Sequence, residues 1–184
     1  PNLLIHAPFN LKKSLLKMIA EEAAAAEAGK EARIVAKLNA LTDPEMIRAL
    51  YEASNAGVKV DLIVRGMCCL RPGIEGVSEN IRVVSIIGRF LEHSRVYYFK
   101  NSEQQLYCSS ADWMERNLSN RIEVCFPILK KKHQSRILAE IEWHLEDEIQ
   151  CWELGADGEY TKIQHATTQE SAQGVQQRLL EKLA

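Results

Sequence analysis

Residues 33–65 read RIVAKLNALTDPEMIRALYEASNAGVKVDLIVR, and this stretch decides the fold. Its first six residues have the apolar content and alternation of a strand. Asp43 followed by Pro44 then marks a helix start, because an aspartate caps free amides and a proline in the first turn has no N–H to lose. Ile47, Leu50, Tyr51 and Ser54 carry that helix to Gly57. From Val58 the chain alternates again, with Val58, Val60, Leu62 and Val64 on one face and Lys59, Asp61, Ile63 and Arg65 on the other. Strand, helix, strand predicts an α/β sheet, in which ligands collect beyond the carboxyl ends of the strands. Arg65 falls at such an end.

Working outward, residues 3–5 are a short apolar run broken at Pro8. Asn10 is placed to cap a helix carrying Leu11, Leu15, Met18 and Ile19 and ending at Gly29. On the other side, residues 66–80 hold Gly66, Pro72, Gly73 and Gly76 and read as a loop. Strands are expected at 81–87, 94–99, 105–109 and 121–128, with no helix between them, so this half should pair antiparallel and the sheet should be mixed. A helix is expected over 131–149, where Ile137, Ile141, Leu145 and Ile149 recur every fourth residue. Beyond Leu154 the chain loses periodicity, and a helical turn or two returns at 176–183. The expected division is a domain over 1–154 with an extension of the same domain over 155–184.

Hydrophobic residues at 46% and charged residues at 26% are those of an ordinary folded domain. The net charge of −2 argues against a general nucleic-acid surface. No apolar run approaches the ~18 residues of a membrane span. Five cysteines without a CxxC pair read as reduced thiols, with Cys68, Cys69 and Cys108 as small buried hydrophobes. The chain opens on Pro1 rather than Met, as expected of a piece of a longer protein. Residues 65–121 hold seven of the eleven arginines but one of the twelve lysines, Lys100. Arginine's planar fork suits phosphate and carboxylate oxygens, so this third reads as an oxyanion-recognition region. An equally weighted reading pairs these arginines with Glu75, Glu79, Glu92, Glu103, Asp112 and Glu115.

Within it, residues 88–117 read GRFLEHSRVYYFKNSEQQLYCSSADWMERN. In an extended chain His93, Arg95, Tyr97 and Phe99 line one side. A histidine can move a proton or attack phosphorus near neutral pH, and phosphoryl transfer needs cations to hold the non-bridging oxygens. Arg95 and Arg65 suit that need, and Ser109 and Ser110 can add donors. Tyr97, Tyr98, Trp113, Trp143 and Trp152 read as packing residues.

Three runs, VRGMCCLRPG at 64–73, SENIRVVSIIGRFLEHSRVYYF at 78–99 and SSADWMERN at 109–117, resemble the C-terminal catalytic domain of bacterial polyphosphate kinase. DGEYTKIQ at 157–164 and SAQ at 171–173 resemble that family's ending. The resemblance implies a phospholipase D-like α/β domain, preceded in the parent chain by further domains. It implies reversible transfer of the terminal phosphate of ATP to polyphosphate through a phosphohistidine, with ATP or ADP as substrate and magnesium held outside this chain. It implies His93 as the second catalytic histidine and Arg65, His93 and Arg95 as ATP and phosphate contacts. Arg71, Ser109, Ser110, Arg116 and Arg121 would be further polyphosphate contacts. It also implies a homo-oligomeric parent in the cytoplasm, with or without membrane association, that uses no nucleic acid.

The phospholipase D pattern His-x-Lys stands here as His93-Ser94-Arg95, and its later aspartate has no equivalent near Lys100-Asn101-Ser102. The resemblance implies that the nucleophile lies in the preceding domain of the parent, and the histidine pattern supports this: of the five histidines, at 6, 93, 133, 144 and 165, only His93 precedes a basic residue by two. The alternatives are a polyanion-binding module without turnover and a phospholipase D-like phosphodiesterase dimer.

Overall fold

Asp43 caps its helix as Pro44 beside it demands: Oδ1 accepts from the amides of Glu45 and Met46 at 3.1 Å each. The computed structural model describes residues 4–163 and 173–183. In chain order the elements are β1 (Ile5–Ala7), α1 (Leu11–Glu27), β2 (Arg33–Leu38), α2 (Pro44–Asn55), β3 (Lys59–Val64), β4 (Ile81–Ile86), β5 (Arg95–Phe99) and β6 (Leu106–Ser109). A π-helical turn (Arg116–Asn120), β7 (Glu123–Pro127), α3 (Lys131–Leu145), β8 (Cys151–Leu154), β9 (Tyr160–Lys162) and α4 (Val175–Leu183) complete them. Leu3, His165 and the Ser171-Ala172 of the family-like ending lie outside the described residues.

The strands form one sheet in the order β1-β7-β6-β5-β2-β3-β4-β8-β9. β2, β3 and β4 are parallel, and every other neighbouring pair is antiparallel, so the sheet is mixed as expected. One face packs Leu62, Val64, Tyr97 and Phe99 against Leu11, Leu15, Ile19, Met46 and Leu50 of α1 and α2. The other packs Val35, Ile63, Val84 and Ile86 against Ile141 and Leu145 of α3 and Val175 of α4. Because both faces are covered, the central strands are buried at nearly every position. Each fully buried Leu or Ile contributes about 1.5–3 kcal/mol of apolar burial. Among the described residues no helix is long and apolar enough to cross a membrane.

Several expectations change. The Asn10 side chain accepts from the amide of His6 at 2.8 Å and bonds no amide of α1, so it closes the turn before the helix rather than capping it. α3 stops at Leu145, short of Ile149. Asp147 Oδ1 takes the amides of Ile149 at 2.7 Å and Gln150 at 2.6 Å, closing a local turn that competes with helix continuation. The stretch expected to be irregular after Leu154 contains β9, which pairs with β8 across a turn where Gly158 has φ 90°. All five cysteines are free, but Cys69 is exposed and Cys68 and Cys108 are only half-buried.

Candidate functional site

The site forms because segments from five strands finish at one end of the sheet. β2 and β3 end there, immediately before Asn39 and Arg65. β5 runs antiparallel to β2, so its first residue, Arg95, lies at the same end. β6 pairs Ser109 with Arg95, and β7 pairs Cys125 with Ser109, bringing the 109–123 connection over the same end. That connection is stitched down by its backbone: Trp113 N–H donates to Ala40 O at 3.2 Å, and Trp113 O accepts from Thr42 at 2.9 Å and Asp43 at 3.0 Å. Trp113 itself is fully buried against Tyr97, ring centroids 5.2 Å apart.

This stitching sets Asp112 beside Asn39. Asp112 Oδ1 accepts from the backbone N–H of Asn39 at 2.7 Å and of Ala40 at 3.3 Å, and from Arg95 Nε at 3.1 Å. Its Oδ2 accepts from a terminal Arg95 nitrogen at 2.9 Å. Burial pushes the Asp112 carboxyl up, but Arg95 and these amides outweigh it and hold it below the ordinary aspartate value. The hydrogen bond to Asp112 raises the Arg95 guanidinium in turn, against its burial. Arg95 is thus paired with a near neighbour, Asp112, one of the carboxylates the ion-pair reading of the sequence offered.

Arg65 is held differently. Its Nε donates to Asn39 Oδ1 at 3.0 Å, and among the described residues it has no carboxylate partner. The same Asn39 amide donates to Asp112 Oδ1 at 3.3 Å and to His93 O at 3.5 Å. Asn39 therefore ties Arg65, Asp112 and the His93 backbone into one unit, and Arg95 adds a bond to His93 O at 3.3 Å.

His93 is exposed and precedes β5 instead of lying on it, so the alternation expected from His93 to Phe99 begins only at Arg95. The Ser109 and Ser110 hydroxyls are occupied. Ser109 Oγ donates to Val124 O at 3.0 Å and accepts from Ala111 N at 3.0 Å. Ser110 Oγ donates to the buried Glu123, which also accepts from Asn117 Nδ2 at 2.6 Å. Arg116 and Arg121 stand exposed on the connection at the same end. Arg71 stands apart. β8 runs antiparallel to β4, so its turn into β9 lies at the far end of the sheet, and Arg71 rests there, 3.3 Å from where a Cβ on Gly158 would lie.

Lys37, Asn39 and Glu123 are members of the site end that sequence reasoning passed over. Lys37 had a signal, as the one charge inside an otherwise apolar strand. For magnesium the chain's own residues are a poor fit: Asp112, Glu92 and Glu123 are taken up by protein donors. Among the described residues no group of three His, Cys, Asp or Glu side chains is placed to hold a metal ion.

The crystal structure of polyphosphate kinase from Porphyromonas gingivalis superposes with TM-score 0.92 and 34% identity, over 99% of this chain and 28% of that one. Nuc from Salmonella typhimurium, a phospholipase D family member, superposes with TM-score 0.55 over 83% of this chain and 96% of its own, at 15% identity. NucT from Helicobacter pylori gives 0.59 at 16% identity, over 80% of this chain and 95% of its own. The fold is therefore phospholipase D-like. Polyphosphate kinase of Pseudomonas aeruginosa is 60% identical over 98% of this chain and 26% of that protein, and that of Xylella fastidiosa 55% over 87% and 23%. The chain thus spans about a quarter of the curated relatives it matches. Residues 4–174 match the profile described as polyphosphate kinase C-terminal domain 2, and the chain belongs to that family.

Proposed function

We propose that this domain is the part of a longer polyphosphate kinase that grips the phosphates during transfer between adenine nucleotide and polyphosphate. The observation that carries this reading is the difference between its two central arginines. Arg95 has its charge paired with Asp112, whereas Arg65 is anchored through Nε to the neutral Asn39 amide and keeps its terminal nitrogens for an incoming anion. A guanidinium so held is oriented before the substrate arrives, which is what charge stabilisation in phosphoryl transfer requires. His93, exposed at the same end, moves a proton at a phosphate oxygen or contacts it directly. Arg95 and Asn39 act through the His93 carbonyl, fixing where the imidazole is presented. Arg116 and Arg121 extend the cationic path for the polymer.

In this reading the phosphorylated histidine and the magnesium ligands belong to other domains of a homo-oligomeric, cytoplasmic parent, and residues 155–184 extend the domain formed by 1–154. Magnesium, when bound, supplies charge neutralisation of the transferring phosphate. Polyphosphate synthesis from ATP by the full-length parent tests the assignment. His93→Ala should abolish turnover and preserve nucleotide binding, and Arg65→Ala should weaken both; full activity of His93→Ala overturns it. The exposed Arg116 and Arg121 favour a second reading for the isolated domain, polyanion binding without turnover. It predicts that the 184-residue chain incorporates no acid-labile label from γ-labelled ATP.

A further inference from the structure

His93 belongs to a loop, residues 87–94, whose own backbone makes little regular structure. What shapes it comes from distant parts of the chain. From below, Lys37 of β2 is almost fully buried, and its Nζ donates to Ser94 Oγ at 2.8 Å and pairs with Glu92 Oε2 at 2.9 Å. One ammonium thus ties the residues on either side of His93. Side chains at i and i+2 held to one point leave the side chain between them directed elsewhere.

From the side, Gln176 of α4 is 5% exposed and meets the loop with its whole amide. Its Oε1 accepts from Phe90 N–H at 2.8 Å, and its Nε2 donates to Phe90 O at 2.7 Å and to Glu92 Oε1 at 2.9 Å. The approach is close enough that a Cβ on Gly88 would lie 2.4 Å from Gln176 Oε1. α4 is itself held on α3 and the turn after it: Asp147 Oδ2 accepts from Val175 N–H, and Arg178 and Lys182 lie 3.9 and 4.2 Å from the centre of the Trp143 ring. His144 of α3 completes the support, with Nε2 3.3 Å from Glu92 Oε2. Glu92 is therefore a hub whose partners come from β2, α3 and α4.

We propose that Gln176 and Lys37 are positioning residues for His93, and that α4 works as a clasp holding the His93 loop in its working shape. A catalytic group misplaced by about 1 Å can lose about a hundredfold in rate, so a loop lying outside the strands needs such a brace. The inference rests on the proposed role of His93 for its kinetic consequence, though not for the clasp itself.

Two measurements separate those parts. In the 184-residue chain, amide hydrogen exchange of Phe90 should quicken at least about tenfold in Gln176→Leu, which loses an acceptor and two donated bonds. Gln176→Glu keeps an acceptor for Phe90 N–H but loses both donated bonds and sets a carboxylate against Glu92, so it should quicken exchange as well, by less than leucine. The exposed Gln177→Leu, on the same helix, should leave it unchanged. Phe90 exchange equal to wild type in both Gln176 variants overturns the clasp. In the full-length parent, Gln176→Leu should lower kcat about tenfold or more with KM for ATP within twofold. Faster Phe90 exchange with unchanged kcat overturns the positioning role. An active His93→Ala would overturn the assignment of His93, whatever the exchange shows.

Discussion

Asp112 meets Arg95 with both carboxylate oxygens, at 3.1 Å from Nε and 2.9 Å from a terminal nitrogen. The pair is mostly shielded, with side-chain exposures of 14% and 7%, and Asp112 also caps two backbone amides. Asp112→Ala strands the Arg95 charge and both amides and should destabilise the domain by roughly 2–4 kcal/mol. Asp112→Asn keeps one acceptor and should cost about half as much. Urea unfolding of the two variants beside wild type measures the difference; variants as stable as wild type would mean the pair contributes nothing net.

Acid should weaken the same region. Burial pushes the Glu92 carboxyl up, but the His144 hydrogen bond, the Lys37 charge and the Gln176 amide hold it far below the ordinary glutamate range. Asp112 is also lowered. Folded values below the unfolded ones mean that the stabilisation is complete above about pH 5 and is lost as pH falls through the folded values. Unfolding free energy should therefore drop steeply below about pH 4, and less steeply in Asp112→Asn.

Gly66 follows Arg65 where a Cβ would stand 2.9 Å from the carbonyl oxygen of Asn39. That oxygen is backbone and cannot swing away, so Gly66→Ala must move the Asn39–Arg65 unit. The expected result is a loss of about 1–2 kcal/mol in stability. A fall of about tenfold or more in kcat/KM of the full-length parent should accompany it.

Thiol labelling should follow burial rather than sequence context. Burial raises the thiols of Cys68 and Cys151 to about 11 and of Cys125 to about 12, leaving almost no thiolate at neutral pH. Iodoacetamide at pH 7.5, timed by mass spectrometry, should modify the exposed Cys69 first and Cys125 last.

Much of the fold was legible because β2, α2 and β3 obey local rules: period, cap and proline agree on one answer there. β8 and β9 were hidden for the opposite reason, since strands of four and three residues are too short to show a period. The site was legible in its residue types and not in their pairing. His93, Arg65 and Arg95 stood out, but that Arg95 is paired depends on Trp113 drawing Asp112 back onto the end of β2, a contact 73 residues away in sequence. Lys37 was passed over, and its burial follows from α3 and α4 covering the face of β2 it shares with Val35. Gln176 carried no signal, because a glutamine on a short helix becomes a brace only when the Phe90 backbone lies opposite it.

The two outermost strands, β1 and β9, are three residues each. An unpaired strand edge is a template for another chain, and its danger grows with its length. A sheet of nine strands would be a broad surface on which copies could add edge to edge and grow into fibres. With such stubs at the margins of the sheet among the described residues, an incoming strand would find only a few backbone partners on either side.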